Sequence, residues 1–269
     1  MKFGKVAAIV AGGIGALAVI GWLGLRVPSG SYPPPGVQTR DLGSVEIPAD
    51  LPAPVRRYLV KVAGGEQMPR IESAMFWGQA QMRVGLWMPA RFRAYSLAGR
   101  AFRREMQVTW FGLPVMLGID QYVGGVGSMN IAGRVVTGYE VDQGANLIPW
   151  AEAPLTPSVL ITDPRIRWEP ISDTAVSVII PFGEEEDRVR FDFDPETGLV
   201  ARASALRYRE PGGERVPWWG DYLEWKEFNG VLIPSRFSVT WGDEGTAWSY
   251  WNIEGMEFNV DVSEALSGK

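Results

Sequence analysis

Two acidic residues stand where an ionised group is expensive. Asp120 lies in LGIDQYVGG and Glu152 in PWAEAPLTP, each with few polar neighbours. A carboxylate in apolar surroundings has a raised pKa unless a cation meets it, and Arg103 or Arg104 is a candidate cation. Two such groups facing one another could serve as the acid and base of a hydrolase, which makes Asp120 and Glu152 the candidate catalytic residues. The other reading is structural: each accepts backbone hydrogen bonds or pairs with an arginine. No substrate motif accompanies them, which favours the structural role.

Composition removes most other chemistry. The chain of 269 residues has no cysteine and no histidine. Thiolate nucleophiles, disulfides, Ser-His-Asp arrangements and the common zinc sites are therefore excluded. The stretch DFDPETG starts like a calcium loop with Asp192, Asp194 and Glu196. It then fails the pattern, because Thr197 stands where glycine is needed and Ala203 where glutamate is needed. A hairpin turn, with Pro195 fixing φ and Gly198 taking positive φ, explains it better. The acidic run GEEED, Gly183 to Asp187, reads as a solvated loop that keeps sheet edges from sticking. YVGGVGSM lacks the strand-to-helix context of a dinucleotide site, and no phosphate-binding GxxxxGK[ST] occurs. Neither a cofactor nor a metal is expected. A net charge of -5 without a basic face argues against nucleic acid.

The remaining signal is aromatic. The chain has 12 tryptophans, far more than a core of this size needs. Any single ring is better explained as core filler. Together with flexible methionines they could line a greasy cavity on a concave sheet. Trp87, Trp110, Met116, Met129, Trp150, Trp168, Trp225 and Trp241 are the candidate ligand-binding residues. In VPWWGD, Trp218 and Trp219 are adjacent, so one of them should face outward, where it could touch a membrane or an envelope protein partner.

Several elements must position these residues. VAAIVAGGIGALAVIGWLGL, residues 6–25, is uncharged and long enough to span a bilayer core of about 30 Å at about 1.5 Å per residue. Lys2 and Lys5 precede it, so the tail should stay in the cytoplasm of a bacterial cell. The body then faces the periplasm or exterior, anchored in the inner (cytoplasmic) membrane by a single pass. A cleaved signal peptide is the rival, with ALA at residues 16–18 as its site. The apolar run continues past that site, which favours a retained anchor. Residues 27–45 read as a Pro/Gly-rich stalk, and residues 46–263 as a single β-rich domain.

In DLPAPVRRYLVKVAGG, Val55, Tyr58, Leu59 and Val62 share one helical face and Gly64 can end the helix. From about residue 71 short alternating runs follow. In DRVRFDFD, for example, Val189, Phe191 and Phe193 alternate with charged residues, the period of a strand with one wet face. One short helix is expected near Thr156, Pro157, Val159 and Leu160. In DYLEWKEFNGVLIPSRFSVTW, Asn229-Gly230 predicts a two-residue hairpin turn. Strict alternation would put Leu223 with Trp225 on one face and Tyr222 with Phe228 on the other. The expected class is mainly β with minor α, a curved antiparallel sheet or half β-barrel with one or two short helices.

Most of the chain after about residue 50 resembles an uncharacterised bacterial family of membrane-anchored proteins, known only as a domain of unknown function. Asp120, Tyr122, Gly127, Met129, Glu152 with Pro157, Trp168 with Glu169, and Asn229-Gly230 through Pro234 carry that resemblance. The spacing D..TGLV…Y…D…F…G..IP is more distantly similar to the closing strands of the lipoprotein-carrier fold. That resemblance implies a half barrel, helices plugging its concave side, and a hydrophobic cavity for acyl chains. The function expected is non-catalytic binding of a lipid, lipoprotein or other apolar ligand in the cell envelope. An envelope hydrolase and a protein-binding scaffold are the alternatives.

Overall fold

In the computed structural model, residues 2–32 and 36–267 are described, with side chains from residue 11 onward. The middle of the expected stalk, residues 33–35, and the side chains of the first part of the expected anchor, residues 6–10, lie outside them. Helix α1 runs Lys2–Arg26. Among the described residues no helix is long and apolar enough to cross a membrane. After α1 the chain packs on the body: Ser29 Oγ donates to the Ala90 carbonyl at 2.7 Å, and Gln79 Nε2 to the Ser29 carbonyl at 2.9 Å.

Strand β1 (Ser44–Glu46) pairs with β2 (Gln67–Pro69) around helix α2 (Ala53–Ala63). The helix buries Pro54, Val55, Tyr58, Leu59 and Val62 and ends at Gly64 with φ +69°, as its amphipathic spacing requires.

The main sheet has thirteen strands, all antiparallel to their neighbours. A first meander runs through β3 (Ser73–Val84), β4 (Leu86–Leu97), β5 (Ala101–Trp110), β6 (Leu113–Val123), β7 (Val126–Ile131) and β8 (Arg134–Val136). A second runs through β9 (Arg167–Ser172), β10 (Ala175–Phe182), β11 (Glu185–Phe193), β12 (Val200–Tyr208), β13 (Arg215–Phe228), β14 (Val231–Trp241) and β15 (Ala247–Phe258). The two are sewn together where β15 pairs with β3, so β8 and β9 form the opposite edges. Between them lie helices α3 (Tyr139–Ala151) and α4 (Val159–Thr162), and a short helix, α5 (Ser263–Leu266), closes the described chain.

Connectivity alone forces α3 across the sheet, because the chain leaves one edge at β8 and must enter the other at β9. Its contacts show that the sheet curves around it. Asp142 Oδ1 accepts from the Gly127 N–H on β7 at 2.7 Å. On the other wing, Asn146 Nδ2 donates to the Pro181 carbonyl of β10 at 3.1 Å. Gln143 Nε2 donates to Asp187 on β11 and to the Leu206 carbonyl of β12, and its Oε1 accepts from the Tyr208 N–H.

The short helix expected near Val159 and Leu160 is present as α4, and α3 is a second, longer helix ahead of it that was not expected. From Gln143 through Ala151 every residue is buried. A helix enclosed on all sides has no wet face and so no amphipathic period to detect. Two further expectations change with it. The run GEEED is a loop only in part: strand β11 begins at Glu185, and Asp187 is buried against Gln143 and Arg215. VPWWGD lies inside β13 rather than between strands, with Trp218 buried and Trp219 beneath the Arg202 guanidinium.

The hairpin of β13 and β14 turns at Asn229 (φ +49°) and Gly230 (φ +79°), as expected. Its faces differ from strict alternation. Register shifts on either side of Glu224 put Tyr222 and Trp225 on the same side, with ring centroids 6.0 Å apart, and leave Leu223 exposed. Tyr222 Oη donates to the Ala151 carbonyl, so the displaced ring secures the end of α3.

Gly127 is the point of closest approach between β7 and α3. A Cβ there would stand 2.7 Å from the Val141 carbonyl oxygen and 2.8 Å from the Ala145 Cβ. Gly127→Val should therefore cost about 1–3 kcal/mol through overpacking. Gly65→Ala, where a Cβ meets nothing within 4 Å, should change stability by less than about 0.5 kcal/mol. Urea midpoints of the two variants check this, and equal midpoints would refute the tight seating of α3.

Candidate functional site

The concave face is filled at one end and hollow at the other. At the filled end α2, α4 and the second half of α3 pack on β10 through β13, with Tyr58, Leu147, Trp150, Phe191 and Val200 in one continuous core. At the hollow end lies a cavity of about 780 Å³. That volume falls in the range of about 300–1,000 Å³ usual for small-molecule sites.

The cavity wall comes from both meanders and from α3. Met82, Met106, Val108, Met116, Met129 and Ile131 belong to the first meander, and Ile148 to α3. Trp218, Val239, Trp241 and Trp251 come from the second, and Trp248 lies beside them on β15. The arrangement follows from period two along the strands. Phe102, Arg104, Met106 and Val108 share the inward side of β5, as do Ala203, Ala205 and Arg207 on β12.

Four charged side chains interrupt this apolar wall: Arg104, Asp120, Glu152 and Arg207. Arg104 lies opposite Asp120 in the β5–β6 register and donates from Nη2 to Glu152 Oε1 at 2.5 Å. That pair is enclosed, with side-chain exposures of 7% and 19%. The Arg104 guanidinium also lies 5.0 Å from the Trp251 ring centroid. Arg207 lies 5.0 Å from the Trp218 ring and 5.3 Å from the Trp241 ring.

Burial dominates the titration of this group. It raises the carboxyls of Asp120 and Glu152 above their ordinary values, opposed by the nearby Arg104 and Arg207. It lowers Arg207 from the usual guanidinium value, opposed by the two carboxylates. A second set of charges stands at the mouth, where Arg83 and Arg209 both bind Glu244 and Arg209 also reaches Asp243 at 2.6 Å.

The structure brings together five of the residues picked from sequence: Met116, Met129 and Trp241, with Asp120 and Glu152. The other five lie elsewhere. Trp150 is fully buried in the core beneath α2, and Trp168 packs at its margin. Trp225 stacks edge-on against Tyr58. Trp87 is exposed beside Tyr250 on the β3–β4 hairpin. Trp110 is exposed at the β5–β6 tip, where its Nε1 donates to the Gly21 carbonyl of α1 at 3.0 Å.

Arg207 was not singled out from sequence. The signal for it is an arginine continuing the inward side of a strand after two alanines.

The linkage of Glu152 has a definite sign. Its folded carboxyl is raised, so the folded chain holds the proton more tightly than the unfolded chain does. Its contribution to stability is greatest below the unfolded value and falls as pH rises through the folded one. Arg104 opposes this loss. Arg104→Met should thus destabilise by about 3–5 kcal/mol at neutral pH, by leaving a buried charge unpaired. The loss should be smaller at about pH 4, near the ordinary carboxylate value, because the raised folded carboxyl takes up its proton before that point is reached. Urea unfolding at the two pH values tests this, and equal losses would contradict it.

No curated protein matches the chain. Solved structures similar to it include the following three. A DUF1329 family protein from Desulfovibrio piger is 12% identical, with 72% of this chain and 89% of that chain covered and a TM-score of 0.42. A putative outer membrane lipoprotein-sorting protein domain from Vibrio parahaemolyticus is 8% identical over 72% and 88%, with a TM-score of 0.40. A LolA superfamily protein from Nitrosomonas europaea is 10% identical over 74% and 91%, with a TM-score of 0.41. Residues 44–253 match a family model that spans both meanders, α3 and all four charged residues of the cavity, and the chain belongs to that family, a family of unknown function (DUF6544).

Proposed function

We propose that the protein binds a lipid or other apolar ligand in the cell envelope, within the cavity between the curved sheet and α3. The observation that carries this reading is the cavity itself, about 780 Å³ of space walled by methionine, tryptophan and aliphatic side chains. Unbranched, polarisable methionines adapt to chains of varied shape. Burial of apolar surface would supply the affinity at roughly 25 cal/mol per Å² before the costs of association.

We place the protein at a bacterial inner membrane, anchored by residues 6–25 with the body outside. The apolar, uncharged run and the preceding lysines support that placement. So does the position of the mouth. Val84 and Gly85 of the β3–β4 hairpin and Ile131 beside the β7–β8 turn line the cavity. Val84, Leu86, Phe111, Leu113, Val115, Ile131 and Val135 make the first meander's side of this end apolar and exposed. The same end holds α1, because the Phe111 N–H donates to the Gly24 carbonyl at 2.9 Å. The cavity would then open towards the bilayer that supplies its ligand.

A hydrolase is the second reading, favoured by the meeting of Asp120 and Glu152 in one cavity. It requires turnover of an envelope ester or glycoside that Asp120→Asn abolishes.

Two experiments test the main reading. Native mass spectrometry of the full chain, released from membranes under mild conditions, should show one acyl species per chain. Met129→Arg should lower its occupancy at least about tenfold, while Trp110→Ala, outside the cavity, should not. A bare mass with no uptake of added lipid would sink the proposal. The absence of cysteine also allows clean single-site labelling. In bilayer discs, an environment-sensitive dye at Leu86→Cys or Leu113→Cys should shift to the blue and be quenched by spin-labelled lipid. The same dye at Glu196→Cys, in the exposed β11–β12 turn at the opposite end of the sheet, should stay in water. Identical spectra at all three sites would refute the membrane-facing mouth.

A further inference from the structure

Among the cavity's arginines, Arg207 is the one that forms no ion pair among the described residues; Asp120 and Glu152 act on it only from beyond ion-pair distance. Arg104 is engaged with Glu152, and Arg209 and Arg83 with Glu244. Among the described residues, no carboxylate lies within ion-pair distance of Arg207, and no hydrogen bond satisfies its buried Nε. A buried guanidinium without a partner is costly, so its retention on an otherwise apolar wall calls for an explanation.

Its surroundings hold it in one place. Trp218 and Trp241 both stack near the guanidinium, and α3 closes the remaining side. A Cβ at Gly144 would lie 2.7 Å from Arg207 Nε and 3.4 Å from Nη2, so a larger residue there would push the guanidinium from its present place. The planar group is therefore pre-positioned, and a fixed guanidinium fork matches the oxygens of a carboxylate or phosphate. The adjacent wall is Met116, Met129 and other chain-like or ring side chains.

We propose that Arg207 binds the anionic, oxygen-bearing head of a single-chain amphiphile whose acyl chain lies along the methionine-lined wall. The inference rests on the cavity being a ligand site and adds the chemical class of the ligand. The two acidic neighbours are compatible with an anion. Glu152 is neutralised by its bond to Arg104. Asp120 forms no ion pair among the described residues, and its burial favours the protonated carboxyl, which can donate to the bound head.

The test uses the full-length chain in zwitterionic bilayer discs and three probes with the same chain: oleate, oleoyl lysophosphatidate and oleyl alcohol. Both anions should bind roughly ten- to a hundredfold more tightly than the alcohol, as expected for hydrogen bonds to a charged group. A preference between the two anions tells a carboxylate head from a phosphate. Arg207→Met should erase the gap between the anions and the alcohol. Arg207→Lys, which keeps the charge but loses the fork, should retain part of the preference, and it serves if the methionine variant does not fold. Equal binding of acid and alcohol by the wild type would overturn the head-group assignment, as would undiminished oleate binding by Arg207→Met. Binding of none of the three would instead overturn the cavity-ligand reading on which it rests.

Discussion

The structure depends on one amide. Gln143, fully buried on α3, spends both ends of its side chain on the second meander: its Nε2 on Asp187 and the Leu206 carbonyl, its Oε1 on the Tyr208 N–H. The preceding residue, Asp142, holds the first meander, and Asn146, about one turn further on, holds the Pro181 carbonyl. Polar groups of this kind are costly unless paired, and here each finds a backbone or side-chain partner across the concave face. The helix thus acts as a crossbar between two wings that are not neighbours in the sheet.

The crossbar explains why the concave side is part core and part cavity. Trp150 and Leu147, towards the C-terminal end of α3, pack with α2 and close one end. Ile148 faces the other way, into the hollow. The four charged groups sit beside this boundary, where burial is deep enough to raise Asp120 and Glu152 and depress Arg207. A wholly hydrophobic wall would bind apolar matter without orienting it. The charged cluster gives the cavity a polar end.

Much of the fold was legible because its elements carry simple periods. Helix α2 shows an apolar stripe and a glycine stop, β11 alternates strictly, and Asn229-Gly230 marks its turn without ambiguity. Helix α3 was illegible for the opposite reason: it is surrounded, carries Gly144 and Pro149 inside, and turns its polar residues Asp142, Gln143 and Asn146 towards the sheet. The alternation of β13 misled for another reason, since the register shifts beside Glu224 leave no mark in residue type. Of the candidate site, Asp120 and Glu152 were visible as acids in greasy company. The rings were not sortable, because Trp150 and Trp241 look alike in sequence and only topology separates core from cavity. Arg207 needed the strand's inward side to be known first.

The sheet stops at β8 and β9 without joining them. In a closed barrel the girth is set in steps by strand number and stagger, and the container cannot widen without breaking a ladder. Here strand pairing continues through the β3–β15 seam, and the gap between the wings is held by side-chain bonds from α3. The distance between the wings is therefore fixed by the side chains of one helix rather than counted in strands.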